Sequence, residues 1–576
     1  MAGHIYKKTI RGNDYYYYQE SHRKKIGKSL EKTKGSGKSS VKTKSIYLGS
    51  AEDIFLRIKN NHNIPVTINH RAFGLVAAAY QTAIQAGIID ILKKHITGER
   101  YGISRWIFFL ISIINRLDNA ASKNKIGDWA IKTVLPDLLK IDAEKLTSKN
   151  YWYVTDDVIS EEKTRKNRKK DEEDVFAGLD DKVFIDIEKE LFVTLRPYFC
   201  DNSDDALIFD TSNFFTFFES NHSSLAETGH NKEGRHNLKQ VGLAMTIDRN
   251  AGIPFMHRVY RGNRHDSFVF SKVIENLIND AKSSFPNIKD LVLVLDKGNN
   301  SEENFKMLDG KIEWVGSLPP SQHQDLLDIE IDKYSNIDNY KTFSVKKNVM
   351  GKECLLVMTH SDALAKKQEY TLQNSIAKLS AKLQEKYSAY KKKPIAITKG
   401  LESILNDSRL KVFINLVIEN EELKIEQNND AFLKRRKTFG KNLLFTSKIN
   451  ASIEWVIAQY KDRNDIEDVF RTLKDVELIR IRPLRHFTDS KIRAHIFCCV
   501  MSFLLIRLMQ QKAYAANLKM SHTVLKEELS DLKQIIMVYE NKNAEIKISQ
   551  PSTIQQKLYN LFQLEKTESL LTLHNC

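Results

Sequence analysis

The chain has 576 residues, of which 41% are hydrophobic, so a disordered protein is excluded and several domains with a sizeable core are expected. Its formal net charge of +16 indicates a polyanionic partner, most often nucleic acid, although a generally basic composition would give the same excess. Five cysteines without a paired CxxC spacing exclude a cysteine zinc site and a disulfide framework.

Residues 1–50 are predicted to form a basic N-terminal segment built on short strands. IYKKTI and DYYYYQE are typical of a strand pair joined at Gly12-Asn13, and SIYLGS is typical of a closing strand. The Lys-, Gly- and Ser-rich stretch between them would suit phosphate contacts, or equally a solvated linker. Because MAGHIYKKTIRG lacks an apolar run, no secretory signal is expected.

Residues 51–182 are predicted to be a helical region that binds DNA ends, followed by a linker. AFGLVAAAYQTAIQAGIIDILKKH and SRWIFFLISIINRL are typical of buried amphipathic helices. They could grip DNA, serve as scaffold or form a dimer surface. Candidate base-reading residues are His70, Arg71 and Arg105, which nothing in the sequence separates from scaffold. Residues 155–182 are dense in charges of both signs, which favours a boundary there.

Residues 183–319 have the pattern of a mixed α/β domain. A strand ending in Asp210 precedes a predicted hairpin, QVGLAMTID and IPFMHRVY. A helix, a buried strand ending in Asp296, a second helix and the strand KIEWVGSLP follow. This order of elements predicts a mixed sheet covered by helices.

Residues 320–445 are predicted to be an insertion, because they separate this α/β segment from a later strand and helix. Residues 446–510 contain a predicted helix from Ala451 to Lys474 and a buried helix from Ser490 to Leu508, and residues 511–576 are predicted to be helical. The longest apolar run, Ile496 to Ile506, is about half of a membrane span. We therefore expect a soluble, cytoplasmic protein without a membrane partner.

Three carboxylates could share one site. Asp210 and Asp296 follow buried strands, where a sheet presents its ligands, and Glu467 lies on a later helix. Oxygen-only ligation suits Mg²⁺ or Mn²⁺, and two such ions can drive an in-line displacement at a phosphate. Each aspartate could instead cap a turn, as Asp210 could before Thr211. The competing carboxylates are Asp204, Asp205, Asp248, Asp266, Asp309, Glu454 and Asp465.

The stretch YKDRNDIEDVFRTLK supports Glu467 over its neighbours. On one helix, Tyr460, Arg463, Glu467 and Lys474 would fall within an arc of roughly 60°. The interleaved apolar residues would anchor that helix to a core. A solvated helix also carries charges, so an ordinary surface helix remains the alternative.

The spacing Y-x2-R-x3-E-x6-K from Tyr460 to Lys474 resembles the signature of insertion-sequence transposases with a DDE active site. More blocks follow in the family's order: FDTSNFFTF, GHNKEGRHNLKQVGLAM, LVLDKGNNSEENF and IRPLRHFTDSKIRAHIFCCV. Over roughly residues 200–510 the chain resembles a transposase of the insertion-sequence-four type. Lys297 stands where the family often has Arg, so a basic residue is kept.

This resemblance implies an RNase H-like catalytic domain formed by residues 183–319 and 446–510, with a largely β insertion at 320–445. It implies that the catalytic residues and ligands of two Mg²⁺ or Mn²⁺ ions are Asp210, Asp296 and Glu467. It also implies that the residues that bind DNA near the scissile phosphate are Tyr460, Arg463 and Lys474.

The implied activity is cut-and-paste transposition: metal-dependent cleavage at the ends of an insertion sequence, then strand transfer. Its partners would be the terminal repeats and target DNA, both double-stranded, with a homodimer expected because synapsis joins two ends. One alternative is an RNase H-like nuclease, which would not require the Tyr, Arg and Lys set. Another is a catalytically silent DNA-binding protein derived from a transposase, which loss of a carboxylate would favour.

Overall fold

The computed structural model describes residues 3–10, 13–24, 40–59, 65–159, 175–176, 181–196, 206–218, 222–230, 234, 237–284, 291–390, 394–406, 408–419, 422–539 and 544–572. These residues belong to two compact units. The first unit comprises Met1–His70 and Gln534–Ile548, and the second comprises Arg71–Lys533 and Ser549–Cys576.

Within the described residues the chain forms 20 strands and 20 α-helices. The strands are β1 (Gly3–Ile10), β2 (Asn13–Lys24), β3 (Ser40–Ser50), β4 (Thr67–Ala72), β5 (Glu99–Arg100), β6 (Ile103–Ser104), β7 (Ala206–Phe215), β8 (Glu227–Thr228), β9 (Lys239–Asp248), β10 (Pro254–Arg261), β11 (Val292–Leu295), β12 (Glu313–Leu318), β13 (Ser335–Ile337), β14 (Tyr340–Val349), β15 (Lys352–His360), β16 (Ile414–Glu419), β17 (Glu422–Gln427), β18 (Lys441–Thr446), β19 (Lys533–Val538) and β20 (Ala544–Ile548). The helices are α1 (Ala51–Lys59), α2 (Gly74–Gln85), α3 (Ile88–His95), α4 (Arg105–Asp118), α5 (Ile126–Ile131), α6 (Leu135–Leu139), α7 (Ser148–Val158), α8 (Lys182–Leu195), α9 (Asp266–Ser284), α10 (Glu302–Leu308), α11 (Gln324–Leu327), α12 (Asp362–Tyr390), α13 (Pro394–Asn406), α14 (Asn429–Arg436), α15 (Ile453–Lys461), α16 (Asn464–Lys474), α17 (Asp489–Ala515), α18 (His522–Ser530), α19 (Thr553–Leu561) and α20 (Leu564–Thr572).

In the first unit, β1, β2 and β3 form an antiparallel sheet, which confirms the predicted strand pair and closing strand. Tyrosines from all three strands pack along it, with ring centroids 5.5 Å apart for Tyr6 and Tyr17 and 5.3 Å apart for Tyr17 and Tyr47. The predicted turn at Gly12 and the centre of the basic stretch lie outside the described residues.

The second unit is organised around a large mixed sheet with the strand order β10-β9-β7-β11-β12-β18-β15-β14-β13. Strands β10, β9 and β7 are antiparallel to one another, whereas β7, β11 and β12 run parallel. All four residues of β11 are buried, as expected for a parallel strand covered on both faces. The predicted mixed α/β domain is therefore confirmed.

Helices cover both faces of this sheet. Ile208 of β7 packs into a core with Ile466 and Phe470 of α16 and Phe503 of α17. The next residue, Phe209, packs edge-on against Phe270 of α9, with ring centroids 5.0 Å apart. Because successive strand side chains point to opposite faces, α16 and α17 cover one face and α9 the other.

The predicted insertion does not form a largely β segment, which corrects that part of the fold prediction. Helices α12, α13 and α14 contribute more residues to it than its strands do. Their core includes Leu383 of α12, Leu401 of α13 and Leu423 of β17. Strands β14 and β15 instead continue the main sheet through β18, so the segment is divided between an added helical layer and the sheet.

The C-terminal region is not wholly helical either. The predicted amphipathic helix TVLKEELSDLKQIIMVY divides into α18 and strand β19, which pairs with β20. The β-branched residues Ile535, Ile536 and Val538 explain the change, because they favour a strand once a partner strand is present.

Helix α17 is long and apolar enough to cross a membrane by length and composition, as is the bent pair α2 and α3 taken together. In α17, 89% of the apolar window is buried inside the protein. The helix therefore has the burial of a core helix, and its apolar surface is used within the second unit.

Asp489, the first residue of α17, ties the loop before β8 to that helix. Its fully buried carboxylate accepts hydrogen bonds from Ser223 Oγ at 2.6 Å and from the backbone N–H groups of Ser224 and Leu225 at 3.0 and 3.2 Å. We expect Asp489→Ala to lower the free energy of unfolding by about 3 kcal/mol, because several buried donors lose their acceptor. Denaturant unfolding measures this loss. Asp90→Ala, at a side chain 82% exposed, is the control, and an equal effect of both variants would contradict the prediction.

Candidate active site

Asp210 and Asp296 lie side by side on neighbouring strands. The sequence predicted that Asp210 ends its strand, but β7 continues to Phe215, so Asp210 lies in the middle of β7, whereas Asp296 directly follows β11. Phe209 of β7 pairs with Leu295 of β11 in the parallel register, so Asp210 and Asp296 are the next residues along neighbouring strands. Ile208 and Val294 both belong to the core beneath α16. Since side chains alternate along a strand, Asp210 and Asp296 point to that same face. Both carboxylates are partly buried, and Asp210 Oδ1 accepts a hydrogen bond from the N–H of Thr211 at 2.7 Å.

The predicted helix from Ala451 to Lys474 is two helices, which corrects the sequence interpretation. Helix α15 ends at Lys461, and α16 begins at Asn464 after a turn at Asp462 and Arg463. The stretch contains no Gly or Pro to mark a break. The break between the helices is explained by contacts that Tyr460 and Arg463 make with the sheet.

Tyr460 makes the first of these contacts. Its hydroxyl forms a hydrogen bond of 2.7 Å with Ser317 Oγ at the end of β12 and lies 3.5 Å from Asp296 Oδ1. Burial is the main cause that raises the pKa of Tyr460 above its ordinary value. The hydroxyl is therefore protonated at neutral pH and can donate to a carboxylate or a phosphate.

Arg463 makes the second contact and joins two of the predicted carboxylates. Its Nη1 lies 3.2 Å from Asp296 Oδ1, and its Nη2 donates to Glu467 Oε1 at 2.7 Å. Burial works against its charge, but Tyr460 and the three carboxylates raise the pKa of Arg463 above its ordinary value. The guanidinium thus remains charged, with Asp296 and Glu467 as its ion-pair partners and Asp210 as a further negative neighbour.

Glu467 and Lys474 are held by the apolar side of α16. Ile466, Phe470 and Leu473 are buried in the core under the sheet, which leaves Glu467 with 48% of its side chain exposed. Lys474 lies further along, with Nζ 5.5 Å from the centroid of the Phe214 ring. Arg463 and Tyr460 therefore surround the carboxylates directly, whereas Lys474 stands beside the end of β7.

The donor set fits hard divalent cations, since all three candidate ligands are carboxylates. Carboxylate oxygens of Asp296 and Glu467 both form ion pairs with the guanidinium of Arg463. This point of the sheet therefore attracts positive charge. Within the described ranges, no three His, Cys, Asp or Glu side chains are close enough as placed to hold a metal ion. A metal ion would therefore have to displace Arg463 from at least one carboxylate.

Several other candidates have structural roles. Asp248 accepts a hydrogen bond from the N–H of Ala251 at 2.6 Å and so stabilises the β9–β10 turn. Arg71 forms an ion pair of 2.5 Å with Asp137, and Arg105 one of 3.3 Å with Asp157. The guanidinium groups of these two predicted base-reading candidates are thus paired with carboxylates of the protein itself.

Sequence reasoning missed Ser317, which orients Tyr460. No motif marks it, because a serine at a strand end is common. Its backbone carbonyl also accepts a hydrogen bond of 2.8 Å from Asn300, which follows Asp296 by four residues. Ser317 therefore connects the turn after β11 with the end of α15.

We expect Tyr460→Phe and Ser317→Ala each to lower the free energy of unfolding by about 1 kcal/mol, because each removes one side of a partly buried hydrogen bond. The double variant should lose less than the sum of the two, since the interaction can be removed only once. Denaturant unfolding of all four proteins measures the coupling. Strictly additive losses would mean that the hydrogen bond does not contribute to stability.

The chain matches one protein family over just over half of its length. The family model described as "Transposase DDE domain" matches residues 202–505, which include Asp210, Asp296 and Glu467. None of the curated proteins compared with the chain matches it significantly.

Among solved structures, a piggyBac transposase synaptic complex with hairpin DNA, determined by cryo-EM, is 10% identical with a TM-score of 0.40. The similarity covers 79% of this chain and 76% of the other. The chain belongs to the transposase DDE domain family.

Proposed function

We propose that the chain is a DNA transposase of the insertion-sequence-four type that cleaves DNA at the ends of its element and joins it to a target. The observation that carries this proposal is that Asp210 and Asp296 lie on adjacent strands, on the face of the sheet where Arg463 pairs with both Asp296 and Glu467. Asp210 lies within β7, Asp296 follows the neighbouring parallel strand β11, and Arg463 links Asp296 to Glu467. A structural ion pair would not require a third carboxylate at this sheet edge.

An RNase H-like catalytic core is part of the proposal. Three antiparallel strands, β10, β9 and β7, are followed by two that run parallel to β7, namely β11 and β12. Asp210 lies within the first of these strands in chain order, Asp296 follows the fourth, and the helix with Glu467 comes after the added segment. This arrangement supports residues 183–319 and 446–510 as the catalytic core.

We assign two Mg²⁺ or Mn²⁺ ions to Asp210, Asp296 and Glu467. Such ions supply an activated water or 3′-hydroxyl and stabilise the leaving oxygen. The chain's own groups would position the DNA. Arg463 and Lys474 would bind phosphate oxygens, and Tyr460 would donate a hydrogen bond near the strand end. Tyr460, Arg463 and Lys474 would therefore hold the transposon end beside the carboxylates.

The remaining roles follow from this activity. Residues 1–50 and 51–182 would bind the terminal repeats, a homodimer would bring two ends together, and 320–445 would add surface beside the active site. Residues 511–576 would complete the scaffold. The element's ends and the target are double-stranded DNA, and the protein is proposed to act in the cytoplasm without a membrane.

Cleavage of DNA that carries the ends flanking the chain's own gene tests the proposal. With Mg²⁺ or Mn²⁺ we expect nicks at the end of the element, and joined products when target DNA is added. A duplex of scrambled sequence is the control. Equal cutting of both duplexes would favour the RNase H-like nuclease. Tight binding of the ends without cleavage under either metal would favour the silent DNA-binding protein.

A further inference from the structure

A cleft of about 990 Å³ lies between α4, α5 and α7 on one side and the segment joining α16 to α17 on the other. Eight Lys or Arg residues line it, and among the lining residues Asp128 is the single acidic one. We call it the basic cleft. An excess of this kind in a concave site attracts anions, because the low-dielectric walls focus the field.

Several of these cations lack a carboxylate partner. Within the described residues, none of Arg116, Lys123 and Arg485 forms an ion pair. Lys123 donates to Ser112 Oγ at 2.8 Å, and its ammonium lies 4.3 Å from the centroid of the Tyr151 ring. Arg116 and Lys123 are close enough to repel each other, and buried cations without counter-charge are unfavourable until an anion binds.

Burial and neighbouring cations lower the pKa values of two groups in the cleft. Burial is the main cause that lowers the pKa of Lys123 to about 8. Burial, followed by Lys123 and Arg116, lowers the pKa of His486 to about 3, so this imidazole is neutral. The ring of His495 lies beside it, with centroids 4.8 Å apart. Additional positive charge is thus disfavoured there, which is consistent with a site for an anion.

The segment joining α16 to α17, which lines the cleft, contacts the end of β7, the strand that carries Asp210. Thr216 Oγ1 donates to the carbonyl of Leu484 at 2.8 Å, and the Leu484 N–H lies 3.3 Å from the carbonyl of Phe215. Arg482 stacks over the Phe215 ring with its guanidinium carbon 5.6 Å from the centroid. Thr216 follows Asp210 by six residues, which corresponds to about 20 Å of extended chain, so the part of the cleft lined by Arg482 lies about that far from Asp210. At 3.4 Å per nucleotide this corresponds to about six nucleotides.

We propose that the basic cleft binds the phosphate backbone of a DNA strand about six nucleotides from the scissile phosphate. This inference rests on the proposed transposase function, since the strand is the one held at the carboxylates. Lys123 and Arg116 would neutralise the phosphate inside the cleft, and Arg485 its neighbour at the rim. Such contacts fix the register of the DNA without reading bases.

The test compares the wild-type protein with the double variant Lys123→Gln/Arg485→Gln. The matched control is Lys557→Gln/Lys566→Gln, which removes two exposed charges from α19 and α20. Affinity for an end-bearing duplex is measured over a range of salt concentrations. We expect the cleft variant to bind about 10-fold or more weakly and to lose about two from the slope of log affinity against log salt. If Lys123→Gln fails to fold, the exposed Arg485→Gln alone should lose about one from the slope.

The position of the proposed phosphate contact along the DNA is tested with a series of duplexes. Each duplex carries one uncharged methylphosphonate, placed at successive positions of the strand. Substitution near the sixth nucleotide should weaken binding by the wild-type protein but not by the cleft variant. Interference only at the scissile phosphate would overturn the proposal. Stabilisation of wild type by inorganic phosphate, with equal DNA binding by both proteins, would reassign the cleft to a free anion and also overturn it.

The two proposals fail in different ways. Suppose that wild type cleaves the element's ends and that the cleft variant has the same slope of log affinity against log salt as wild type. This result would reject DNA binding by the cleft and leave the transposase function intact. A wild-type protein that neither binds nor cleaves those ends would reject the function itself.

Discussion

Glu467→Gln should abolish metal-dependent cleavage of the element's ends, by about 10³-fold or more, while DNA binding is retained. The substitution keeps the shape of the side chain but removes the charge that would bind a cation. Glu467 is 48% exposed and pairs with Arg463, so the loss of this ion pair should lower stability by only about 1 kcal/mol. Cleavage and binding are measured on the same end-bearing duplex.

Glu454→Gln is the matched control, because it makes the same change at an exposed position of the preceding helix. It also tests a carboxylate that competes with Glu467 in the sequence. Wild-type cleavage by Glu467→Gln, or equal losses in both variants, would remove Glu467 from the catalytic site. Asp210→Asn and Asp296→Asn should reproduce the loss, since the three carboxylates are proposed to act together.

The aspartate pair was predictable because its signal is local. Apolar runs before Asp210 and Asp296 identify buried strands, and the order of hairpin, helix and strand places the two strands in one sheet. The prediction of Glu467 depended on one helical face shared with Tyr460, Arg463 and Lys474. In the structure Glu467 and Lys474 lie on α16, whereas Tyr460 lies on α15 and Arg463 in the turn between the two helices. The metal ions and the DNA contacts remain predictions.

Features that depend on distant partners were not predictable. The turn at Asp462 and Arg463 has no local breaker and arises where Tyr460 meets Ser317 and Arg463 meets Asp296. Strand β19 needs β20 as its partner, so its own pattern resembled a helix. The basic cleft joins segments far apart in sequence, and no single stretch carries its signal.

Arg463→Gln should change metal binding in the opposite direction from Glu467→Gln. The guanidinium, whose side chain is only 18% exposed, neutralises Asp296 and Glu467 at the point where a cation would bind. Its removal should tighten Mn²⁺ binding by roughly 5- to 30-fold, equivalent to about 1–2 kcal/mol. Glu467→Gln should weaken it. Titration calorimetry with Mn²⁺ in the absence of DNA measures both.

Cleavage should nevertheless fall in Arg463→Gln, by about 10²-fold, because the same guanidinium is proposed to bind the phosphate once metal ions release it. The control is Arg471→Gln on the same helix, whose side chain is 76% exposed and pairs with Asp468. Arg471→Gln should alter neither the Mn²⁺ affinity nor the rate of cleavage. Unchanged Mn²⁺ affinity in both Arg463→Gln and Glu467→Gln would show that these carboxylates are not the metal ligands. Tighter binding together with slower cleavage would establish that Arg463 exchanges carboxylates for phosphate during the reaction.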